Sequence, residues 1–277
     1  MKLSRLKHGE SAKIHACNGD GRWMCLPEEF QSFRLVELLA DKPREAIQGL
    51  LETQDTADVS ASRLDTAAPV AGDGGDIWGA GLNYRGHAKD LDATQPVSGP
   101  GSYLRPAGCL IANGDAIELP QQSRRVTAEG ELGLVIGTRC KNVRRENWRD
   151  AVAAVTTVLD MTAEDVIREN PRYIPWAKGF DTFCSIGPAL VSMDTFAPGE
   201  LDTLRVSTVR NGETIASAQV SEMRYDLGFL VEYFSAGRTL LPGTVICTGT
   251  PGAAAIEAGD TVEAVVEKVG HLSHHVK

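Results

Sequence analysis

Glu129 and Glu131 stand two residues apart inside an apolar run, Ala128-Glu129-Gly130-Glu131-Leu132-Gly133-Leu134-Val135-Ile136. In a strand, side chains alternate, so both carboxylates point to one face. Two like charges side by side repel, and burying either one unpaired costs several kcal/mol, roughly. A cation between them removes both penalties. Asp160 ends a second apolar run, AAVTTVLD, and offers a third oxygen. Three carboxylates with no His or Cys nearby form a hard, all-oxygen donor set. Such a set favours Mg²⁺ or Mn²⁺ over Zn²⁺, with Ca²⁺ also compatible. The plain alternative is a solvated sheet face, where alternating Glu is common, and E-x-E alone favours it.

The elements that must position these groups are mostly strands. After an N-terminal part with leucines at helical spacing in FRLVELLA, composition shifts between residues 52 and 76 to Thr, Ala, Ser, Asp and Gly. That shift reads as a linker after a small module. Short apolar runs follow: IWGAGL, GCLIA, ELGLVIG, AAVTTVLD, ALVSM, LRVSTVRNGE, TVICTGT and TVEAVVEKVG. Helical patterns fall near 146–154, 163–170 and 227–236, and Asn211-Gly212 signals a hairpin. Strands without regular βαβ alternation predict a β-rich α+β fold.

Bulk properties exclude several classes. The 277 residues carry a formal net charge of −9 with no Lys/Arg-rich run, which argues against nucleic acid as a partner. No apolar run reaches about 18 residues, so no membrane span is expected. The N-terminus MKLSRLKHGESAK lacks a signal-peptide core. Six cysteines lie scattered without a C-x-x-C pair, as suits a reducing cytoplasm. Gly79-Ala80-Gly81 begins like a dinucleotide fingerprint, but Tyr84 takes the third glycine position. P-loop and G-x-S-x-G signatures are absent from the sequence. His271, His274 and His275 have zinc-like helical spacing but follow Val269-Gly270 in an apparent strand, so they read as structural or incidental.

Several segments together resemble the catalytic domain of the fumarylacetoacetate hydrolase family. Gly81-Leu82-Asn83-Tyr84 followed by His87 resembles its opening strand and catalytic histidine. Glu129-x-Glu131 followed by LVIG resembles its first metal-binding strand, and Asp160 stands where its third ligand does. Lys178-Gly179-Phe180-Asp181-Thr182-Phe183, with Gly187-Pro188 after it, matches the segment of its active-site lysine. Asn211-Gly212-Glu213, Leu241-Pro242-Gly243, Thr248-Gly249-Thr250-Pro251 and Gly259-Asp260 follow in family order. Each element is weak alone, but their order is specific. The resemblance runs from about residue 77 to the C-terminus. It implies a mixed β-roll or barrel over 76–277, preceded by a small N-terminal domain and linker over 1–75, and a protein that usually dimerises. Two departures stand out. Glu164 occupies the usual arginine position in Leu159-Asp160-Met161-Thr162-Ala163-Glu164-Asp165, and Asp90 replaces a glutamate three residues after His87.

The resemblance also implies roles. A divalent ion on Glu129, Glu131 and Asp160 would chelate a 1,3-dicarbonyl or 2-oxo acid, and with Lys178 would stabilise an enolate. His87 would handle the proton, with Asp90 fixing its tautomer. Thr250, with neighbouring backbone N–H groups such as that of Gly249, would bind a substrate carboxylate. Arg105 would add a bidentate contact or be an ordinary surface arginine. Residues 89–102 would form a lid or a passive loop. The leading expectation is hydrolysis of a carbon–carbon bond in an acylpyruvate. Decarboxylation of a 2-oxo diacid, isomerisation of a 2-hydroxydienoate and dehydration of a sugar acid share the same enolate. A non-catalytic binding module is the alternative of a different class.

Overall fold

The computed structural model describes residues 1–8, 11–18, 21–53, 66–67, 75–90, 95 and 97–277, giving the backbone alone for residues 7, 8, 11, 66, 67 and 88–90. The fold is α+β and strand-rich. Described strands form one twelve-stranded and one four-stranded sheet. At the heart of the larger sheet, Val126–Ile136 and Val152–Ala163 pair antiparallel from Val126↔Ala163 to Ile136↔Val152. Both are buried almost throughout, which is why they read as continuous apolar runs rather than as alternating ones. Cys184–Ser192 extends this pair on one side. On the other come Val245–Cys247, Ile77–Gly81 and Gly101–Arg105.

The smaller sheet runs in the order Glu213–Gln219, Arg205–Arg210, Thr261–Val266, Gly270–His275. It lies against the far side of the two-glutamate strand, and Gly130 makes that approach possible. A Cβ there would come 2.5 Å from the Ser207 carbonyl oxygen, while the Gly130 N–H donates to Thr208 Oγ1 at 2.9 Å. The residue between the glutamates is therefore as constrained as they are. Asn211 and Gly212 turn the hairpin with φ of 52° and 80°, the double positive φ of a type I′ turn.

Two expected helices differ from the pattern. FRLVELLA forms a short 3₁₀ turn, Glu37–Leu39, and the α-helix starts later, at Asp41–Thr53. Leu35, Leu38 and Leu39 are all buried, and a tight turn seats all three, while Pro43 sits in the helix's first turn, where no N–H is needed. The segment near 146–154 is a single helical turn, Trp148–Ala151, before strand begins at Val152. The β-branched run from Val155 to Val158 prefers the pleated surface. Near 163–170 and 227–236 the helices are Glu164–Glu169 and Leu227–Ser235. Asp226 caps the latter by accepting from the Phe229 N–H at 2.8 Å.

The linker region at 52–76 lies mostly outside the described residues. On either side of it the chain shares one sheet and one core. Lys2–His8 pairs antiparallel with Cys184–Ser192, and Leu3, Ile14, Leu35 and Ile47 cluster with Leu159, Phe183 and Ile186. Among the described residues no helix is long and apolar enough to cross a membrane.

Candidate metal centre and active site

Register explains how the acidic groups meet. Glu129 lies directly across from Asp160, and Glu131 across from Val158. Opposed residues of an antiparallel pair share a face, so Asp160 joins the two glutamates. The three offer carboxylate oxygens within 4.8 Å of one another, the only such group of metal-capable side chains among the described residues. All are buried, Asp160 completely.

Two cations answer these charges. Lys178 follows the one-turn helix Ile174–Ala177. Its Nζ donates to Thr162 Oγ1 at 2.6 Å, Asp160 Oδ1 at 2.8 Å and Glu129 Oε2 at 3.3 Å. Burial works against its charged form, but Asp160 and Glu129 outweigh that and raise its pKa. Arg105 is also fully buried. It donates to Asp160 Oδ1, to the Lys178 carbonyl and, at 2.9 Å, to the Phe183 carbonyl. This corrects the expectation of an ordinary surface arginine at Arg105. Its guanidinium is the support behind Asp160 and the Lys178 backbone.

The balance falls short of neutrality. Three carboxylates against two cations leave one negative charge in a dry site. Burial together with Asp160 and Glu129 pushes the Glu131 carboxyl well above its usual range, although Lys178 and the Gly249 N–H oppose this. Burial also acts to raise Asp160, yet Arg105, Lys178 and the Tyr103 hydroxyl bring it below the usual range. In this pair Asp160 keeps its charge and Glu131 carries the strain. A hard dication relieves that strain, and the all-oxygen donor set fits one.

Tyr103 escaped the sequence analysis. Its buried hydroxyl donates to Asp160 Oδ2, and burial, then Asp160 and Glu131, push its pKa well above 10, so it stays a donor. A signal was present in Gly79. A Cβ there would fall 2.0 Å from the Tyr103 ring, so the glycine that suggested a nucleotide loop makes room for a phenol. Thr162, the hydroxyl under Lys178, was also missed.

These groups face a cavity of about 270 Å³, the size for a small ligand. His87, in the helix Arg85–Asp90, lines it and is 5% exposed. Its buried Nδ1 has no hydrogen-bond partner among the described residues. Asp90 closes that helix, but its side chain lies outside the described residues, as does much of the expected lid. Thr250 and Gly249 also line the cavity, though their polar groups are engaged. The Thr250 hydroxyl donates to the Gly252 carbonyl at 2.9 Å, and the Gly249 N–H donates to Glu131 Oε2 at 2.8 Å. The Gly249 N–H thus steadies the Glu131 carboxylate. Its φ of +95°, with Asn83 Cβ 2.8 Å from any added Cβ, excludes other residues.

Glu164 also lines the cavity. Its Oε1 accepts from Arg168 Nε and Nη2 at 2.8 and 2.5 Å, and its Oε2 from Arg125 Nε at 2.6 Å. The C-terminal histidines stay apart from the acidic cluster. His274 Nδ1 meets the Asp115 carbonyl at 2.8 Å, and His271 meets Glu263 at 3.0 Å.

A β-rich fold with a buried acidic triad under one cavity defines a class of small-molecule enzyme, and comparison with known proteins gives its family. Residues 76–277 match the model for the fumarylacetoacetate (FAA) hydrolase C-terminal region. The chain belongs to the fumarylacetoacetate hydrolase family. It is 31% identical over 204 residues to the mitochondrial oxaloacetate tautomerase Fahd2a of Rattus norvegicus, covering 71% of this chain and 64% of that one. Among solved structures, the 5-carboxymethyl-2-hydroxymuconate delta-isomerase of Mycobacterium smegmatis is 30% identical with a TM-score of 0.77, covering 100% of this chain and 98% of that one. Maleylpyruvate hydrolase of Sphingobium sp. SYK-6, in complex with manganese(II) and pyruvate, is 25% identical with a TM-score of 0.79 and the same coverage. Family members are thus hydrolases, isomerases and tautomerases, and the manganese complex agrees with a divalent metal on the acidic triad here.

Proposed function

We propose that this protein is a divalent-metal-dependent hydrolase that cleaves a carbon–carbon bond of an acylpyruvate or related β-diketo acid. The observation that carries the reading is the buried, under-neutralised triad Glu129, Glu131 and Asp160, whose two glutamates line one small cavity. Mg²⁺ or Mn²⁺ held by these three would supply Lewis-acid polarisation of the two oxygens of a 1,3-dicarbonyl or 2-oxo acid. The Lys178 ammonium, already protonated and dry, offers hydrogen bonds to negative charge that grows on a substrate oxygen as the bond breaks. His87 lines the cavity, its buried Nδ1 is without a hydrogen-bond partner among the described residues, and its imidazole takes the proton from an attacking water. Asp90, three residues on in the same helix, is the proposed orienting carboxylate. Thr250 and Gly249 also line the cavity.

A second reading, keto–enol tautomerisation of a 2-oxo diacid, has its own support in the similarity to a protein named oxaloacetate tautomerase. It needs only His87 and Lys178 to exchange a proton at carbon and oxygen. Incubating the Mn²⁺-loaded protein with acylpyruvates and with oxaloacetate separates the readings. Hydrolysis yields pyruvate and a carboxylic acid with the mass of water added. Tautomerisation changes the enol absorbance at constant mass, and decarboxylation loses carbon dioxide. Absence of acylpyruvate cleavage with metal present overturns the first reading.

A further inference from the structure

The strand that carries Glu129 and Glu131 has a broken neighbour. On one side Val126–Ile136 pairs along its length with Val152–Ala163. On the other, residues 126–129 pair with Ala253–Ile256, and residues 133–135 pair with Val245–Cys247. Between those two pairings residues 248–252 leave the sheet, opposite residues 130–132. The departure lets the Gly249 N–H turn to Glu131 Oε2 at 2.8 Å. It also costs the longer strand a backbone partner. The Leu132 carbonyl faces this side and accepts from the Thr248 N–H at 3.0 Å and the Thr248 hydroxyl at 2.8 Å. Gly130, two residues earlier, points its N–H to the same side, because backbone polar groups alternate along a strand. Among the described residues no strand pairing on that side reaches Gly130.

A buried N–H has to be paired, and Thr208 pairs this one from the other sheet. It lies in Arg205–Arg210 and is wholly buried. Its Oγ1 accepts from the Gly130 N–H at 2.9 Å and donates to the Gly252 carbonyl at 2.9 Å. Gly130 sits between the two glutamates. Gly252 closes the looped-out segment, just before Ala253 pairs with Glu129. One hydroxyl thus bonds both sides of the break. A Cβ on Gly130 would come 3.2 Å from that Oγ1, so the glycine keeps the approach clear. The Thr250 hydroxyl also donates to the Gly252 carbonyl at 2.9 Å, but it belongs to the segment itself and does not tie it to the strand.

We propose that Thr208 is a positioning residue for the metal centre. Its hydroxyl fixes the width of the break, and with it the spacing of Glu129 and Glu131 and the reach of the Gly249 N–H to Glu131. Thr208 acts through the backbone of Gly130 and Gly252. The inference rests on the reading that a divalent ion sits on Glu129, Glu131 and Asp160.

Calorimetric titration of the chelator-stripped full chain with Mn²⁺ tests it, beside the electron paramagnetic resonance spectrum of the bound ion, which reports the symmetry of its ligands. Thr208→Val keeps the shape and removes both hydrogen bonds. It weakens Mn²⁺ binding by about tenfold, the lower end for groups that support metal ligands, and changes the spectrum at saturation. Thr208→Ser restores both readouts. Thr156→Val is the control, since that buried hydroxyl donates to the Ala189 carbonyl at 2.9 Å and bonds neither Gly130 nor Gly252. Its loss lowers Tm and leaves affinity and spectrum unchanged. Wild-type affinity in Thr208→Val overturns the inference. So does equal weakening in Thr156→Val, the mark of a general loss of packing, and so does a Thr208→Ser as weak as Thr208→Val. Should Thr208→Val fail to fold, Thr208→Ala removes the hydroxyl with less bulk and is held to the same outcomes. A wild type that binds no Mn²⁺ removes the metal reading instead, and this inference with it.

Discussion

The floor and the mouth of one cavity solve the problem of placing carboxylates beside cations in opposite ways. At the floor, three acids face Lys178 and Arg105, and all five groups are buried. Solvent screens nothing there, so the missing positive charge falls on Glu131. At the mouth, a single Glu164 faces two arginines whose side chains are 55% and 60% exposed. Water screens that cluster, and its surplus is positive. Excess negative charge in a dry site calls for a metal ion, whereas excess positive charge at a wet rim attracts an anion at little structural cost.

Four experiments break or sharpen this contrast. The largest effect belongs to Glu131→Gln, which removes one oxygen ligand's charge. Metal-dependent turnover drops on the order of a thousandfold, given that Lewis-acid stabilisation is worth several kcal/mol. The same variant relieves repulsion at the floor, so its metal-free Tm is no lower than that of the wild type. A clear loss of metal-free stability says that the floor is not strained. Arg105→Leu, which strips a buried partner from Asp160, destabilises by about 3–5 kcal/mol in denaturant unfolding. A change under about 1 kcal/mol there means that Lys178 alone supports Asp160.

Adding Mn²⁺ at about a hundred times its Kd stabilises the fold by about 2.7 kcal/mol, read as a rise in Tm that chelator reverses. If Tm ignores the ion, the triad does not hold it. The smallest effect is expected at the rim. Burial works to raise the Glu164 pKa, but hydrogen bonds from Arg125 and Arg168 more than offset this and lower it. A depressed carboxylate stabilises the fold above its unfolded pKa, and that contribution is lost as pH falls through the folded value. Glu164→Gln therefore costs less than about 1 kcal/mol at neutral pH, and its stability converges with the wild type in acid. A constant difference across pH assigns Glu164 a packing role instead.

Much of the floor was legible because strand periodicity is a local property. E-x-E in an apolar run puts two carboxylates on one face wherever the strand lies, although whether that face is buried or solvated is not decided by the run itself. The run AAVTTVLD likewise announced the strand that brings Asp160 to the site. The ordered motifs gave the family, and Asn211-Gly212 gave its hairpin. The surface reading of Arg105 failed because residue type and a following proline say nothing about which acid the side chain meets on a strand that three others separate from its own in the sheet order. Tyr103 stayed hidden for the same reason, although Gly79 had marked the place where its ring would pass.

The chain by itself determined which groups are available, which share a strand face and how many charges must be reconciled, since these depend on composition and on the two-residue repeat of a strand. Only the tertiary structure decided that Glu129 stands across from Asp160, that Arg105 backs Asp160 and the Lys178 backbone, and that Gly249 serves Glu131. Those are contacts between residues far apart in sequence, set by sheet register and by which charges the closed core can neutralise.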